Sequence, residues 1–422
     1  MVDPDPNRLP LARHGRLRSS RAVTTVVKAL AIAVAVFLVS GVTVAGVAVW
    51  SVTGSLRPSV SLPNDSKPGE APVIGAIEGG VNLLLVGSDS GEGDPAYGER
   101  YANLNDVNIL LHIAEDHRSA TVVSFPRDLY VEIPACPASA DGTASGTSGG
   151  FSDKINTALG HGGLGCVVAT VENLTGLTIP FAAQIEFNGV IEMSNAVGGV
   201  PVCVAEDIED LYTRTRLAAG EHLLSGVDAL QFLRTRHGLQ NGSDLARISN
   251  QQVFLSSLVR TIKSDGTLGD PLKLYSLAKA AADNMILSDQ LQSLDTMVSI
   301  ALALRDIDLG NVAFVQYPIV WVDGGIMPLE ADAAVLVDAL ARDVPVALSG
   351  QLGESSAAIP NPAPSASPTS TPTGSPSTPA APTDSPTPAP TPGTPTVALP
   401  PSVTGQTAAQ QTCSVGRTLA EQ

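Results

Sequence analysis

Positive charge is scarce in this 422-residue sequence: 24 Lys+Arg stand against 41 Asp+Glu, a net charge of −17. Neutralising nucleic-acid phosphates takes a basic surface, so no nucleic acid is expected as a partner. Charged residues reach only 15%, against about 25% in an ordinary globular protein. Part of the chain must therefore belong to another regime. No Cys-x-x-Cys spacing occurs and the six His are scattered, which argues against a zinc site. There is no Gly-x4-Gly-Lys-Ser/Thr phosphate loop and no Gly-x-Ser-x-Gly nucleophile elbow. Those absences speak against a P-loop nucleotidase and a serine hydrolase.

The basic charge that is present is unevenly placed. Residues 1–28 hold six basic and two acidic side chains, which leaves 18 against 39, a net of −21, for the rest. From Ala29 to Trp50 run 22 residues without a charge, long enough to cross a hydrocarbon core of about 30 Å. The run exceeds a signal-peptide core and no clean cleavage site follows it, so it reads as an uncleaved anchor. Positive-inside bias puts residues 1–28 in the cytoplasm as a basic stub and the remainder outside, on a single-pass protein of the cell membrane. The four cysteines, Cys136, Cys166, Cys203 and Cys413, all follow the span, where an oxidising compartment permits two disulfides. Three pairings are possible. Cys136 and Cys166 flank a Gly/Ser-rich loop and form the easiest local pair, which would leave Cys203 for Cys413. Buried free thiols are the alternative.

Residues 51–80 are spotted with Pro, Gly and Ser and read as a stalk. A compact region is expected over 81–349. Residues 350–402 turn abruptly to Pro, Thr, Ser and Ala without Lys or Arg, so a disordered linker is expected there. The segment 403–422 regains apolar residues and is either a small docking element or a frayed end. Inside the compact region, NLLLVG (82–87), VNILLHI (107–113) and ATVVSF (120–125) are short apolar runs bounded by turn signals, hence buried strands. Helical periodicity is read over 161–176, ended by Gly176, and within 220–233, with Ser225 as N-cap. It is clearest over 244–264, with Asp244 or Ser243 as cap, and two further helices follow. The fold class is α/β, a central mixed β-sheet covered by helices and preceded by one transmembrane helix.

Ligands of α/β sheets gather at strand ends and the loops beyond them. Asp89 follows the first strand in GSDSGEGD, where a carboxylate suits a hard cation with oxygen ligands, and Glu92 and Asp94 add acidic density. Asp106 opens the second strand, and two neighbouring carboxylates share a site most readily through a cation or a proton. Pro126 stops the third strand and presents Arg127, a side chain suited to bidentate phosphate recognition. The strongest cluster is Arg234, Arg236 and Arg247. If 232–236 is extended, Arg234 and Arg236 share a side. Arg247 and Gln251 are i and i+4 on the following helix, whose N-terminus adds N–H groups and a positive dipole. Carboxylates facing an arginine cluster suggest a pyrophosphate or phosphodiester substrate, with the arginines stabilising charge that grows as the leaving group departs.

At these residues the chain resembles the LytR-CpsA-Psr family of extracytoplasmic cell-wall glycopolymer transferases. NLLLVGSDS, LNDVNILLHI, SFPRDLYVEIP, KINTAL, VENLTGLTI, VGGVPV, LSGVDALQFLRTRHG and SDLARISNQQVFL occur in family order over 81–265, and the likeness continues in outline to about 345. High Arg over Lys with abundant Ala and Gly suggests an actinobacterial member. The resemblance implies an α/β/α sandwich with an apolar pocket for a polyprenyl chain. It also implies transfer of a polyprenyl-pyrophosphate-linked glycopolymer to peptidoglycan through a phosphodiester. Asp89 and Asp106 would bind Mg²⁺, and Asp106 could also deprotonate the incoming hydroxyl. Arg127, Arg234, Arg236 and Arg247 would grip the pyrophosphate, with Asp244 and Gln251 in support. Catalysis would fall to Asp106, Arg127, Arg234 and Arg236. Two departures are visible. Leu104 and Asn250 stand where the family often has Arg, which is expected to weaken the anion clamp, and Arg100 is a candidate substitute. A non-catalytic polymer tether and a polyprenyl-pyrophosphate phosphatase are the alternative functions.

Overall fold

The computed structural model describes residues 22–54, 56–62, 79–89, 103–139, 142–264, 271–359 and 396–422. Residues 1–21 of the N-terminal stub, residues 63–78 of the expected stalk, Glu92, Asp94, Arg100 and most of the Pro/Thr/Ser linker lie outside the described residues.

The chain divides into two units, residues 1–54 and 55–422. The first contains helix α1, Ala22–Thr53. Its segment Thr25–Thr43 is long and apolar enough to cross a membrane, which fits a single-pass anchor.

The second unit is built on a seven-stranded mixed sheet. Strands β1 (Val81–Ser88), β2 (Asn105–Ile113) and β3 (Ala120–Phe125) form an antiparallel meander at its centre. Phe181–Ile185 lies parallel to β1 and Val312–Gln316 parallel to β3. Met285–Leu287 and Gly405–Thr407 close the two edges antiparallel.

Alternation along the strands splits the core in two. Leu84, Val86, Leu110, Val123 and Phe125 point to one face and pack with helix α2, Ala158–Thr175, and with Leu336 and Leu340 of the helix Glu330–Ala341. Val81, Ile109, Ile113, Val122 and Phe314 point to the other face, where Ile300 and Ala303 of the helix Leu294–Arg305 cover them. This is the expected α/β/α sandwich. Helix α2 ends at Gly176 in the left-handed conformation, φ 70°, which a Cβ would penalise.

A third core gathers around a smaller sheet ordered Gly220–Leu224, Val200–Glu206, Thr412–Val415, Ser356–Ala358. Against it lie α4 (Gly226–Arg234) and α5 (Asp244–Lys263), whose N-cap Ser243 accepts from the Ala246 N–H. Helix α3 (Phe187–Ala196) packs on α4.

Three expectations change here. Residues 56–62 do not stand off as a stalk: Val60 bridges to Ser288, Arg57 Nε donates to the Asp283 carbonyl at 3.0 Å, and Leu62 is buried in the core. The compact region does not end at residue 349, because 356–358, 405–407 and 412–415 are sheet strands. Unpaired sheet edges and apolar Val403 and Leu399, both buried, supply the reason. Finally, 232–236 is not extended: Phe232 and Ala229 are buried on one helical face, and Arg234 is the last residue of α4.

The cysteines pair Cys136–Cys166 and Cys203–Cys413, with Cα atoms 5.4 and 4.4 Å apart. The second bond joins neighbouring parallel strands across 210 residues, so it fastens the C-terminal strands to the domain. Cys413→Ser should lower the unfolding free energy by about 2–5 kcal/mol. Denaturant unfolding under non-reducing conditions measures the loss, and an unchanged midpoint would show that the sheet pairing alone holds the C-terminus.

Candidate active site

The site assembles at one end of the central sheet. Asp106 is the second residue of β2, Arg127 follows the end of β3, and Asp244 and Arg247 occupy the first turn of α5. Their side chains form a ring of alternating charge. Arg127 Nη1 donates to Asp106 Oδ1 at 2.8 Å. Arg127 Nε lies 3.6 Å from Asp244 Oδ1, and Arg247 Nη2 lies 2.6 Å from the same oxygen. Arg247 Nη1 is 3.7 Å from Asp106 Oδ2, and its Nη2 donates to the Asp106 carbonyl at 2.8 Å. Asp244 and Arg247 side chains are only 9% and 8% exposed, so each charge depends on its neighbours for the solvation that water no longer supplies.

Outside the ring, Lys154 Nζ donates to Asp128 Oδ1 at 2.8 Å. Burial alone would raise the Asp128 pKa, but the Lys154 hydrogen bond and the nearby Arg127 outweigh it and hold the carboxyl below its ordinary value. Burial likewise opposes the Arg127 charge, and Asp106 and Asp244 more than restore it, so this guanidinium is held even more firmly protonated than usual.

Arg234 and Arg236 sit beyond the ring. The Arg234 guanidinium lies 4.1 Å over the centre of the Phe187 ring, a cation–π contact. The turn carrying both arginines is tied to Asp210, which is almost wholly buried. Asp210 Oδ2 accepts from Thr235 Oγ1 at 2.8 Å and from the Arg236 and His237 N–H groups at 3.1 Å each, while Oδ1 accepts from the Tyr212 N–H. Burial pushes the Asp210 carboxyl up and these hydrogen bonds, led by that from the Arg236 N–H, bring it below its ordinary value.

Asp106, Arg127, Arg234, Arg236, Arg247 and Gln251 all line the mouth of one cavity of about 450 Å³. Its body is apolar, walled by side chains such as Ile109, Ile185, Val190, Phe254, Leu258 and Leu277. Asp244 stands behind the wall in the ring, and Asp89 also lies outside the cavity lining. Asp89 sits at the same end of the β1–β2 pair: its N–H donates to the Leu104 carbonyl, and its Oδ1 accepts from the Leu104 N–H at 3.1 Å. Among the described residues no group of three or more His, Cys, Asp or Glu could hold a metal by itself. Asp89 and Asp106 are the two carboxylates at this end of the β1–β2 pair, and Mg²⁺ is a cation that completes its shell with waters and substrate phosphate oxygens when a protein offers few ligands.

The expected weakening of the clamp at position 250 does not have the assumed geometry. Asn250 is wholly buried, and its Nδ2 donates to the Phe232 carbonyl at 2.6 Å, away from the cavity mouth. Gln251 Nε2 donates to the Leu233 carbonyl at 3.1 Å. Sequence reasoning missed Asp210, Phe187 and Tyr212, which meet the arginine turn from well outside its own segment of the chain. Of the residues singled out in the sequence, the structure brings Asp106, Arg127, Arg234, Arg236, Arg247 and Gln251 into one cavity lining and leaves Asp89 and Asp244 out of it.

The LytR_cpsA_psr family model matches residues 61–338. The chain is 30% identical over 276 residues to the cell wall biosynthesis protein LcpA of Corynebacterium glutamicum, which covers 59% of this chain and 52% of that protein. It is 30% identical over 190 residues to TagT of Bacillus subtilis, a polyisoprenyl-teichoic acid–peptidoglycan teichoic acid transferase, over 43% of this chain and 53% of TagT. The chain thus spans about half the length of these curated relatives. Among solved structures, the LytR-Csp2A-Psr enzyme from Actinomyces oris superposes with a TM-score of 0.51 at 20% identity, over 68% of this chain and 95% of that one. At that identity the likeness speaks for the fold.

Asp210→Asn should destabilise the protein at neutral pH by about 1–3 kcal/mol, because several buried donors lose a charged acceptor. The native Asp210 pKa is depressed, so its contribution is complete above the unfolded-state pKa and disappears as pH falls through the folded one. Urea unfolding at pH 7 and near pH 3 should show the two proteins converge in acid. A constant gap would assign the loss to shape and not to charge.

Proposed function

Because the chain belongs to the LytR-CpsA-Psr family, we propose that it is a membrane-anchored, extracytoplasmic phosphotransferase. Its substrates would be a polyprenyl-pyrophosphate-linked glycopolymer and a hydroxyl of peptidoglycan. One observation carries this reading: a deep apolar cavity opens onto a mouth lined by four arginines. A polyprenyl chain suits the body, and a pyrophosphate suits the mouth. That chemistry is of the kind that TagT, a polyisoprenyl-teichoic acid–peptidoglycan teichoic acid transferase, would need. The apolar helix supplies the membrane anchor, and the basic residues ahead of it favour a cytoplasmic N-terminus.

Beyond the four-charge ring, Arg234 and Arg236 add two further guanidiniums to the cavity lining, a donor set that suits a polyanion. As the bond between the two phosphates breaks, negative charge grows on the departing polyprenyl phosphate. Preorganised guanidiniums stabilise that charge without reorganising. Asp106 faces the same space and accepts the proton of the incoming hydroxyl. Mg²⁺ held by Asp89 and Asp106 would offset charge on the phosphate oxygens.

The test combines purified full-length protein with a synthetic polyprenyl-pyrophosphate oligosaccharide and peptidoglycan fragments, with and without Mg²⁺. Mass spectrometry should detect the acceptor-linked phosphodiester. Arg234→Ala and Asp106→Asn should each cut turnover by about 100-fold or more. Tight donor binding without product would instead make the protein a tether, and free phosphorylated oligosaccharide without acceptor linkage would make it a phosphatase.

A further inference from the structure

An exposed apolar hairpin stands beside the site and has no place in the chemistry so far. Its strands, Ile319–Val322 and Gly325–Pro328, pair Val320 with Met327 and Trp321 with Ile326 around a turn at Asp323-Gly324. Trp321 is 65% exposed, and Val320, Val322 and Met327 are also open to solvent. Leaving this much apolar surface uncovered on one rigid element marks a place where something docks.

The hairpin is fixed, and fixed to the catalytic loop. Ile326 is buried and bridges to Leu129, two residues after Arg127. Gly325 lies so close to the Tyr130 ring that a Cβ there would come within 2.6 Å of it. Tyr130 in turn pairs with Lys154, which holds Asp128.

The central sheet separates this hairpin from the cavity. Leu85, Val107 and Ile109 line the cavity and belong to one face of the sheet. Leu129 and Ile326 belong to the core of the opposite face. Arg127 and Asp106 sit at the strand ends between them.

Resting on the transferase reading, that arrangement has a stereochemical consequence. Phosphoryl transfer places the attacking and leaving oxygens roughly in line. The leaving polyprenyl phosphate points into the cavity, so the incoming hydroxyl comes from outside it, past the strand ends where the loop after β3 and the hairpin bridged to it stand. Its oxygen forms a new bond to the sugar-bearing phosphorus as the bridging P–O bond breaks. The hydroxyl proton passes to Asp106, and polyprenyl phosphate departs with the electron pair.

We infer that the hairpin Ile319–Pro328, with Trp321 as its contact residue, binds the saccharide chain that supplies the attacking hydroxyl. The C–H face of a pyranose ring suits the indole face, and Asp323 at the turn can accept hydrogen bonds from sugar hydroxyls. The local charge selects the same ligand. From Val312 to Ala341 there is no Lys or Arg, while Asp323, Glu330, Asp332 and Asp338 are acidic. Asp338 is paired with Arg342, and Lys154 and Arg127 beside the hairpin are already engaged by Asp128, Asp106 and Asp244, so the hairpin's own Asp323 favours an uncharged sugar face over an anionic lipid or a polyphosphate.

The chain has two tryptophans, Trp50 and Trp321, so full-length Trp50→Phe protein reports on Trp321 alone. Titration with chitotetraose, a soluble β-1,4-linked N-acetylglucosamine oligomer, should shift its fluorescence saturably, and the shift should persist in Arg234→Ala. In the transfer assay, Trp321→Ala should raise the acceptor KM about tenfold with kcat little changed, and Trp321→Phe should recover most of that loss. Donor affinity should not move. A silent titration together with an unchanged acceptor KM in an active enzyme would overturn the inference and leave the transferase reading standing. A shift on phosphatidylglycerol vesicles but not on chitotetraose would overturn it in favour of a membrane contact. A saturable shift in a protein that transfers nothing would retain the saccharide site and sink the transferase reading.

Discussion

The ring Asp106–Arg127–Asp244–Arg247 is the constraint around which the site is organised. Its members come from the start of β2, the loop after β3 and the first turn of α5, regions as much as 141 residues apart. None is well exposed, the most open being Arg127 at 22%, so each charge is tolerated only while the others are in place. The ring thereby locks the register of a helix against the ends of two strands. It also explains why Arg127 and Arg247 should not be counted as spare positive charge. Arg247 already faces two carboxylates and Arg127 three, and an arriving anion or cation must exchange with those partners.

What the ring holds together differs on its two sides. Toward one face of the sheet, α3, α4 and α5 enclose an apolar cavity whose wall draws on residues from 85 to 285. Toward the other, Leu129 bridges to Ile326 and joins the loop after β3 to the hairpin. The sheet is therefore more than a scaffold: it is a partition, with charged residues exposed only along its end. Its closure at one edge depends on Gly405–Thr407, and the smaller sheet depends on Thr412–Val415, so strands from beyond the Pro/Thr/Ser stretch complete both.

The sequence disclosed what was local and strongly patterned. The three central strands and α5 were legible because their apolar periods are unbroken and their ends carry turn or cap residues, Ser243 being an example. The arginines were legible because guanidiniums are scarce in an acidic chain and these cluster. Asp210 was not legible: it looks like one more acid in Glu-Asp-Ile-Glu-Asp, and only folding brings its carboxylate beneath the N–H groups of residues 236 and 237. The same limit hid the C-terminal strands, which are too short to show a period and pair with strands far earlier in the chain, Gly405–Thr407 with Val312–Gln316 and Thr412–Val415 with Val200–Glu206. Reading 232–236 as extended failed for a related reason. The Leu-Arg-Thr-Arg alternation resembles a strand, but buried Phe232 and Ala229 keep the helical face down to Arg234.

That last turn of α4 shows how Arg234 is positioned by the backbone that carries it. A helix leaves its final carbonyls without intrahelical donors. Here Asn250 and Gln251 reach across from α5 and donate to the carbonyls of Phe232 and Leu233. Just past the terminus, Asp210 accepts from the N–H groups that follow. The end of α4 is thus held from both sides, by amides on its carbonyls and a carboxylate on the outgoing backbone, and Arg234 sits between them over Phe187. An uncharged Asn at position 250 is what such a brace requires, because a second guanidinium in that buried place would need a counter-charge that no neighbouring group on α4 supplies. The departure from the family's usual Arg therefore changes how the arginine turn is supported, while the cavity mouth keeps the four arginines that face it.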